Sequence, residues 1–194
     1  MDITAAGSSN DRMRALEGTR ILDLTHMLSG PYATMLLADM GAEVIKLEPP
    51  GAGEATRALL RGDPEHSRDG MGAYFLTLGR NKKSVALDLK RPEARPILER
   101  LVAAADLVFY NFSAGVAERL GLDHASLAAI DPRIVTVSIT GFGETGPSRD
   151  HAGFVMALEV TNTSPLPVTG VEVFSLHNFH LGYGRTGVST ETGE

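Results

Sequence analysis

Short apolar runs alternate with helical patterns along most of the chain, from Thr19 to Gly143. Apolar runs rich in β-branched residues are typical of buried strands, and apolar positions three and four apart are typical of helices. The predicted strands cover residues 19–24, 42–48, 83–89, 106–112 and 132–143. Strands that alternate with helices form βαβ units. We therefore predict an α/β fold with a Rossmann-like, mainly parallel five-stranded sheet and flanking helices over residues 18–142.

The helical patterns between these strands have recognisable ends. They cover residues 29–41, 72–82, 91–105, 115–121 and 123–130. Ser29 is a candidate N-cap of the first helix, and Gly41 is its predicted stop. Asp123 is a candidate N-cap of the last helix. Pro96 lies about a turn inside the third pattern, so that helix is expected to begin later or to bend.

The two ends of the chain depart from this alternation. Residues 1–17 are predicted to form a flexible leader. Residues 155–194 hold one of the 18 Lys and Arg residues, Arg185, and are rich in Val and Thr. The segment 159–176 predicts two short strands around a Pro/Gly turn, with no helix between them. We therefore expect a short, antiparallel β-rich C-terminal tail after the α/β domain.

Composition and charge narrow the class of protein. Of the 194 residues, 43% are hydrophobic and 22% are charged, as in soluble globular domains. The net charge of −6 and the lack of a basic tract argue against a nucleic-acid partner. No apolar run approaches the ~20 residues that cross a bilayer, and the N-terminus lacks an apolar signal-peptide core, so no membrane association is expected. The absence of cysteine excludes disulfides and a cysteine nucleophile, and it fits a cytoplasmic protein.

Two motifs suggest cofactor chemistry only weakly. The sequence GAGEAT (51–56) lacks the third glycine of a dinucleotide fingerprint and follows the second strand instead of the first. Its backbone N–H groups could still meet a phosphate. His177 and His180 lie three apart in a predicted strand, which places them on opposite faces, so we expect no metal site. Asp23 and His26, at the end of the first strand, are interpreted as structural.

Polar segments follow four of the predicted strands. They are Thr25–Pro31, Glu48–Gly53, Asp88–Lys90 and Asn111–Gly115. Ligands of parallel α/β sheets bind beyond the carboxyl ends of the strands. We therefore expect the functional site to be built from these segments.

Four separated blocks carry a resemblance to a known family. They are LDLTHMLSGPYATMLLADMGAEVIKLEPPGAGEATR (22–57), GRNKKSVALDLK (79–90), ADLVFYNFSAGVAERLGL (105–122) and PRIVTVSITGFGETGPSRD (132–150). In this order they resemble the CaiB/BaiF family, the family III CoA-transferases, over about residues 18–154. The resemblance implies a CoA-binding α/β domain in that range and a tail, residues 155–194, that does not continue the pattern.

The resemblance also implies which residues bind CoA. They follow the first, third and fourth strands or lie on the next helix: Met27, Leu28, Ser29, Leu87, Asp88, Leu89, Lys90, Asn111, Phe112 and Arg119. Lys90 and Arg119 can neutralise CoA phosphates, and Phe112 can pack against the adenine or the pantetheine arm. The alternatives are solvated surface charges for Lys90 and Arg119 and a core position for Phe112. The chain departs from the family pattern at two places. Pro49 or Pro50 stands where the family often has a basic residue, and the Asn-Phe pair is followed by Ser113 and Ala114, which also differ from the family.

The reaction that the resemblance implies moves CoA between an acyl-CoA and a carboxylic acid through a covalent aspartyl intermediate. It needs no tightly bound cofactor, CoA or acyl-CoA being the substrate, and the full-length relatives are homodimers. The family's nucleophile lies in a Gly-Asp segment, but no such pair follows Asp63 here, and the last aspartate is Asp150. We therefore assign no catalytic residue and expect the chain to be truncated before the catalytic aspartate, with the break at Phe154–Val155.

Three alternatives to an active transferase are open. The first is a non-catalytic module that binds CoA or acyl-CoA. The second is a fragment of an α-methylacyl-CoA racemase, which is disfavoured because Phe154 stands where those enzymes have histidine. The third is an interaction fragment that pairs through the strands of its tail. Residues 155–194 are native to the family, fused or frameshifted, and the sequence does not choose among these origins.

Overall fold

The computed structural model describes residues 14–150 and the backbone of one further strand, Ala157–Thr161. The strands are β1 Arg20–Leu24, β2 Glu43–Glu48, β3 Ser67–Arg68, β4 Met71–Gly72, β5 Lys82–Ala86, β6 Leu107–Tyr110, β7 Val135–Thr140 and β8 Ala157–Thr161. The helices are α1 Ser29–Asp39, α2 Ala73–Leu78, α3 Arg95–Ala103, α4 Val116–Leu120 and α5 His124–Ala128. Two 3₁₀ turns cover Ala55–Ala58 and Pro92–Ala94.

The main sheet has the strand order β5-β2-β1-β6-β7-β8. The first five of these strands are parallel, which confirms the predicted five-stranded α/β sheet. The chain moves from β1 outward through β2 to β5, then returns to the other side of β1 for β6 and β7. The strand order therefore reverses between β1 and β6, and a crevice opens at such a reversal.

β8 extends the sheet to six strands and is antiparallel to β7, with Val137 opposite Val160. It lies inside the predicted β-rich tail, close to the first of the two strands expected there. The second expected strand, Phe154 and the histidines His177 and His180 lie outside the described residues. A separate two-stranded ribbon, β3 with β4, occupies part of the loop between β2 and β5.

Alternation along the strands divides the core into two layers. In β1, Ile21 faces the layer that contains α1, whereas Leu22 and Leu24 face the layer that contains α3, α4 and α5. The second layer is built around buried apolar side chains such as Val102 of α3 and Leu127 of α5. Because both faces of the parallel strands are covered, functional groups are left to the ends of the strands.

Several helix starts differ from the prediction. Ser29 is not an N-cap: Leu28 occupies that position, with no capping side chain, because the turn at Met27 starts the helix one residue early. The third helix begins late, as Pro96 suggested, and a 3₁₀ turn at Pro92–Ala94 precedes it. Asp123 is confirmed as an N-cap, since its carboxylate accepts a hydrogen bond from the Ser126 N–H at 3.0 Å.

Two boundaries also differ from the prediction. β5 ends at Ala86, three residues before the predicted end, because the chain turns at Asp88, whose side chain accepts a hydrogen bond from the Lys90 N–H at 3.1 Å. The described chain begins inside the predicted leader: the Leu16 N–H bonds to the Met40 carbonyl at 3.1 Å, and residues 1–13 lie outside the described residues. No helix in the described part of the chain is long and apolar enough to cross a membrane.

Candidate functional site

A cleft of about 960 Å³ lies at the carboxyl ends of the central strands, on the side covered by α3 and α4. Six of the predicted CoA-binding residues line it: Leu87, Asp88, Leu89, Lys90, Phe112 and Arg119. The other four, Met27, Leu28, Ser29 and Asn111, do not line the cleft. The predicted set therefore divides into six residues that line the cleft and four that do not.

Three cations line the cleft, and two of them have no ion-pair partner among the described residues. Lys90 follows β5 and is exposed, and Arg119 lies on α4 and is also exposed. Neither side chain forms an ion pair with another described residue. Arg91 also lines the cleft, but it pairs with Asp88 at 3.5 Å. Two cations without carboxylate partners can therefore bind an anion from outside.

Aromatic rings form one wall of the cleft. The ring of Phe112 stacks on Tyr110, with centroids 5.5 Å apart and planes 15° from parallel. The His26 ring lies 5.9 Å from the Phe112 ring at 45°. Phe112 is half-buried, so part of its face is available to a ligand. Such a wall favours flat or apolar groups over charged ones.

The turn between β1 and α1 is held from two sides. The Asn111 side chain accepts a hydrogen bond from the His26 N–H at 2.7 Å and donates one to the His26 carbonyl at 2.8 Å. The Glu54 carboxylate accepts a hydrogen bond from the Met27 N–H at 3.0 Å. Met27 has a positive φ of 66°, and the side chains of Met27 and Leu28 are 49% and 54% exposed. The amide of Asn111 is thus engaged with this turn.

His26 is half-buried and lines the cleft. Burial lowers the pKa of its imidazole, and the nearby positive charge of Lys46 lowers it further, against the opposing effect of Glu54 and Asp23. This shift favours the neutral ring, which carries one donor and one acceptor nitrogen. His26 was interpreted from sequence as structural, but the geometry places its ring on the cleft wall.

A second polar network surrounds Glu48, the last residue of β2. Both oxygens of the buried Glu48 bind Arg57, Oε1 accepting from Nη2 at 2.7 Å. Ser84 donates to Oε1 at 2.6 Å, and the Glu54 N–H donates to Oε2 at 2.9 Å. Burial opposes the ionisation of Glu48, but these bonds outweigh it and lower its pKa to about 2. The Arg57 guanidinium also lies 3.8 Å from the centre of the Phe75 ring.

Asp23 is fully buried at the end of β1 and connects the sheet to α1. It accepts hydrogen bonds from Thr34 at 2.7 Å and from the Lys82 ammonium at 3.0 Å, and Lys46 lies 3.9 Å away. Burial opposes its ionisation, but the two lysines and Thr25 outweigh this and lower the pKa of Asp23. These contacts agree with the structural role expected for Asp23.

Sequence reasoning placed Glu48 in a segment expected to form the site, but it did not foresee the network that joins Glu48 to Glu54 and Arg57. The available signal was a glutamate at the end of a buried strand, followed by a glycine-rich turn with a second glutamate and an arginine. A buried carboxylate requires charged or hydrogen-bonding partners. That requirement alone does not identify the residues that act as these partners.

The sequence model of CoA-transferase family III matches residues 16–171. The chain belongs to CoA-transferase family III. The match starts near the predicted residue 18 and extends past residue 154, where we predicted that the resemblance ends. The family assignment agrees with the parallel sheet and with the four sequence blocks.

Curated relatives in this family carry the names of transferases. The chain is 43% identical over 165 residues to succinyl-CoA:glutarate CoA-transferase of Mus musculus, covering 85% of this chain and 37% of that protein. It is 44% identical over 147 residues to succinyl-CoA–D-citramalate CoA-transferase of Chloroflexus aurantiacus, covering 76% and 36%. The chain therefore spans little more than a third of the length of these relatives.

Solved structures of the family share the fold. A CaiB/BaiF family protein from Brucella suis superposes with a TM-score of 0.67 at 40% identity, over 74% of this chain and 38% of that one. The Rv3272 protein of Mycobacterium tuberculosis gives a TM-score of 0.66 at 39% identity, over 72% and 38%. The family III α/β domain is thus the part of the fold that this chain shares with them.

Proposed function

We propose that this chain binds CoA in the cleft and supplies the CoA-binding part of a family III CoA-transferase, which moves CoA between an acyl-CoA and a carboxylic acid. One observation carries the proposal: the cleft combines an aromatic wall at Phe112 with two cations, Lys90 and Arg119, that no described carboxylate neutralises. CoA has the matching parts, a flat adenine, an apolar arm and phosphate groups.

The charge pattern supports an anionic ligand in particular. The chain carries a net charge of −6, yet Lys90 and Arg119 line the cleft without an ion-pair partner among the described residues. Guanidinium and ammonium groups bind phosphate oxygens by charge-assisted hydrogen bonds. The absence of cysteine is consistent with work in the cytoplasm, which we propose as the compartment.

A second candidate function, binding of CoA or acyl-CoA without transfer, is favoured by one observation. The 194 residues contain no aspartate after Asp150, and the family reaction uses a nucleophilic aspartate beyond that point. We therefore expect these residues alone to bind CoA and to give no CoA transfer. Measurable exchange of CoA between succinyl-CoA and a free carboxylic acid by the purified chain would contradict this expectation.

The binding proposal is tested by calorimetric titration of CoA into the chain and three variants. Lys90→Gln and Arg119→Gln each remove one cation at the cleft, and we expect each to raise the Kd about tenfold because a charge-assisted bond is lost. Arg100→Gln is the matched control, since Arg100 is exposed on α3 but does not line the cleft. We expect this control to leave the Kd within about twofold.

Salt dependence adds a second measurement. The Kd of the unaltered chain should rise with ionic strength, and this rise should be smaller for Lys90→Gln and Arg119→Gln, since fewer ionic contacts remain to be screened. No binding by the unaltered chain at millimolar CoA, or an equal loss in the Arg100 control, would overturn the proposal.

A further inference from the structure

The turn that follows β1 adopts a conformation that its residue disfavours. Met27 has a φ of 66°, in the left-handed region that non-glycine residues seldom occupy. Such a conformation persists only where surrounding contacts hold it, and it is a reason to look for a function. The turn lies at the reversal of strand order between β1 and β6, where the cleft opens.

Three hydrogen bonds from distant parts of the chain hold this turn. Asn111, which lies 85 residues after His26, bonds to both the N–H and the carbonyl of His26, at 2.7 and 2.8 Å. Glu54 bonds to the Met27 N–H at 3.0 Å. Glu54 is 1% exposed, and its second oxygen is bound by Thr56, so its carboxylate is fixed. The conformation of the turn is therefore imposed by two residues that lie outside it, Asn111 and Glu54.

The consequence of this arrangement is the direction of the His26 side chain. Its ring lines the cleft and lies 5.9 Å from Phe112. The two polar atoms of the Asn111 amide are both engaged with the backbone of His26. Asn111 is therefore poorly suited to bind a ligand directly and well suited to place the residue that does.

We propose that Asn111 and Glu54 are positioning residues, which hold the His26–Met27 turn in its left-handed conformation so that the His26 imidazole forms a hydrogen bond with the ligand in the cleft. This inference rests on the proposed function for the identity of the ligand, CoA. It changes the role of Asn111 from a CoA contact to a residue that acts through His26. It also gives His26 a binding role in place of a structural one.

A double-mutant cycle distinguishes a positioning role of Asn111 from a direct contact between Asn111 and CoA. Asn111→Ala removes two of the bonds that hold the turn, and we expect the Kd for CoA to rise about tenfold, which corresponds to about 1.4 kcal/mol. Glycine adopts a positive φ without steric cost, so Met27→Gly lets the turn form with fewer supporting bonds. We therefore expect the double variant Asn111→Ala/Met27→Gly to bind CoA at least about threefold more tightly than Asn111→Ala.

A direct contact between Asn111 and CoA predicts a different outcome of this cycle. If Asn111 contacted CoA directly, Met27→Gly would not restore affinity, and the effects of the two changes would simply add. Additive effects would therefore overturn the inference. Asn111→Asp is the second variant in case Asn111→Ala unfolds. It keeps an acceptor for the His26 N–H but turns a second carboxylate oxygen toward the His26 carbonyl. We therefore expect a loss of affinity that Met27→Gly again reduces.

A second readout needs no ligand. The imidazole of His26 can be titrated by NMR in the full chain, where it is held beside Phe112 and near the charges of Lys46, Glu54 and Asp23. We expect its pKa, which burial lowers in the unaltered chain, to move back toward 6.5 in Asn111→Ala as the ring gains solvent, and to fall again in the double variant. An unchanged His26 titration in Asn111→Ala would overturn the positioning role, whereas failure of the unaltered chain to bind CoA would overturn only the proposed function and the ligand's identity.

Discussion

Glu48 is a residue whose ionisation makes the stability of the fold depend on pH. It lies at the end of β2, 3% exposed, and binds Arg57, Ser84 and the Glu54 N–H. Its pKa is about 2 in the folded chain, against an ordinary value of 4.5. A carboxyl group with a lowered pKa stabilises the fold above its unfolded pKa, and this contribution is lost as the pH falls toward the folded value.

We therefore expect Glu48→Gln to destabilise the chain most at neutral pH. The difference in unfolding free energy between the unaltered chain and the variant should be constant above the ordinary pKa of 4.5 and should shrink as the pH falls to about 2. Urea unfolding at about pH 7 and about pH 3 measures it. Glu65→Gln, at an exposed position, is the control and should change stability by less than about 0.5 kcal/mol. A Glu48→Gln difference that does not vary with pH would contradict the account.

The positions of residues at the cleft could be predicted from sequence only where they depend on local position along the chain. Lys90 and Phe112 were placed at the site because they directly follow strands whose ends meet at one edge. The bonds of Asn111 to His26 were not foreseen, because they join segments 85 residues apart whose adjacency is set by strand order. The ion pair between Glu48 and Arg57 was not foreseen for a related reason: a sequence shows that a buried charge needs a partner but not which residue it is.

At the scale of elements, the first turn of α1 lies unusually close to β1. A β-carbon added at Gly30 would lie 2.4 Å from the Thr25 Cβ, well inside van der Waals contact. Thr25 cannot easily move away, because its hydroxyl donates to Asp23 at 2.6 Å. Glycine at position 30 therefore sets how closely the helix approaches the strand end.

We expect Gly30→Ala to cost about 1–3 kcal/mol of unfolding free energy, since the added methyl group must displace either α1 or Thr25. Gly62→Ala is the matched control, because Gly62 has open space around it and a φ outside the left-handed region. Chemical denaturation of both variants makes the comparison. Equal stabilities for the two variants would show that α1 can shift without cost.

Element boundaries were predicted less well than element types. The apolar pattern of residues 83–89 continues through Leu87 and Leu89, but β5 ends at Ala86 because Asp88 turns the chain. Leu87 and Leu89 are instead used to line the cleft. An apolar alternation indicates burial on one side, and burial under a strand or beside a ligand pocket gives the same pattern.

At the scale of the whole molecule, the sheet has a protected centre and two edges. β1 is paired on both sides, by β2 and β6, whereas β5 and β8 are paired on one side only within the described sheet. Hydrogen exchange by NMR or mass spectrometry should therefore show the slowest amides at Leu22 and Val108, at the level of global unfolding, and faster exchange in β5. Exchange in β5 as slow as in β1 would indicate that another segment covers that edge.

The fold class was predictable as a whole, because alternating strand and helix patterns permit few arrangements. Strand order was not, since the pattern of residues 106–112 shows that β6 is buried but not that it lies beside β1. The sixth strand was foreseen only as part of a β-rich tail. Its antiparallel pairing with β7 depends on Ala157–Thr161 meeting a free edge, which no local pattern reveals.

The two hydrogen bonds between Asn111 and the His26 backbone also tie two connections of the chain together. One amide joins the segments that follow the neighbouring strands β1 and β6, where the chain connections leave in opposite directions. These two segments therefore cannot separate unless both hydrogen bonds break.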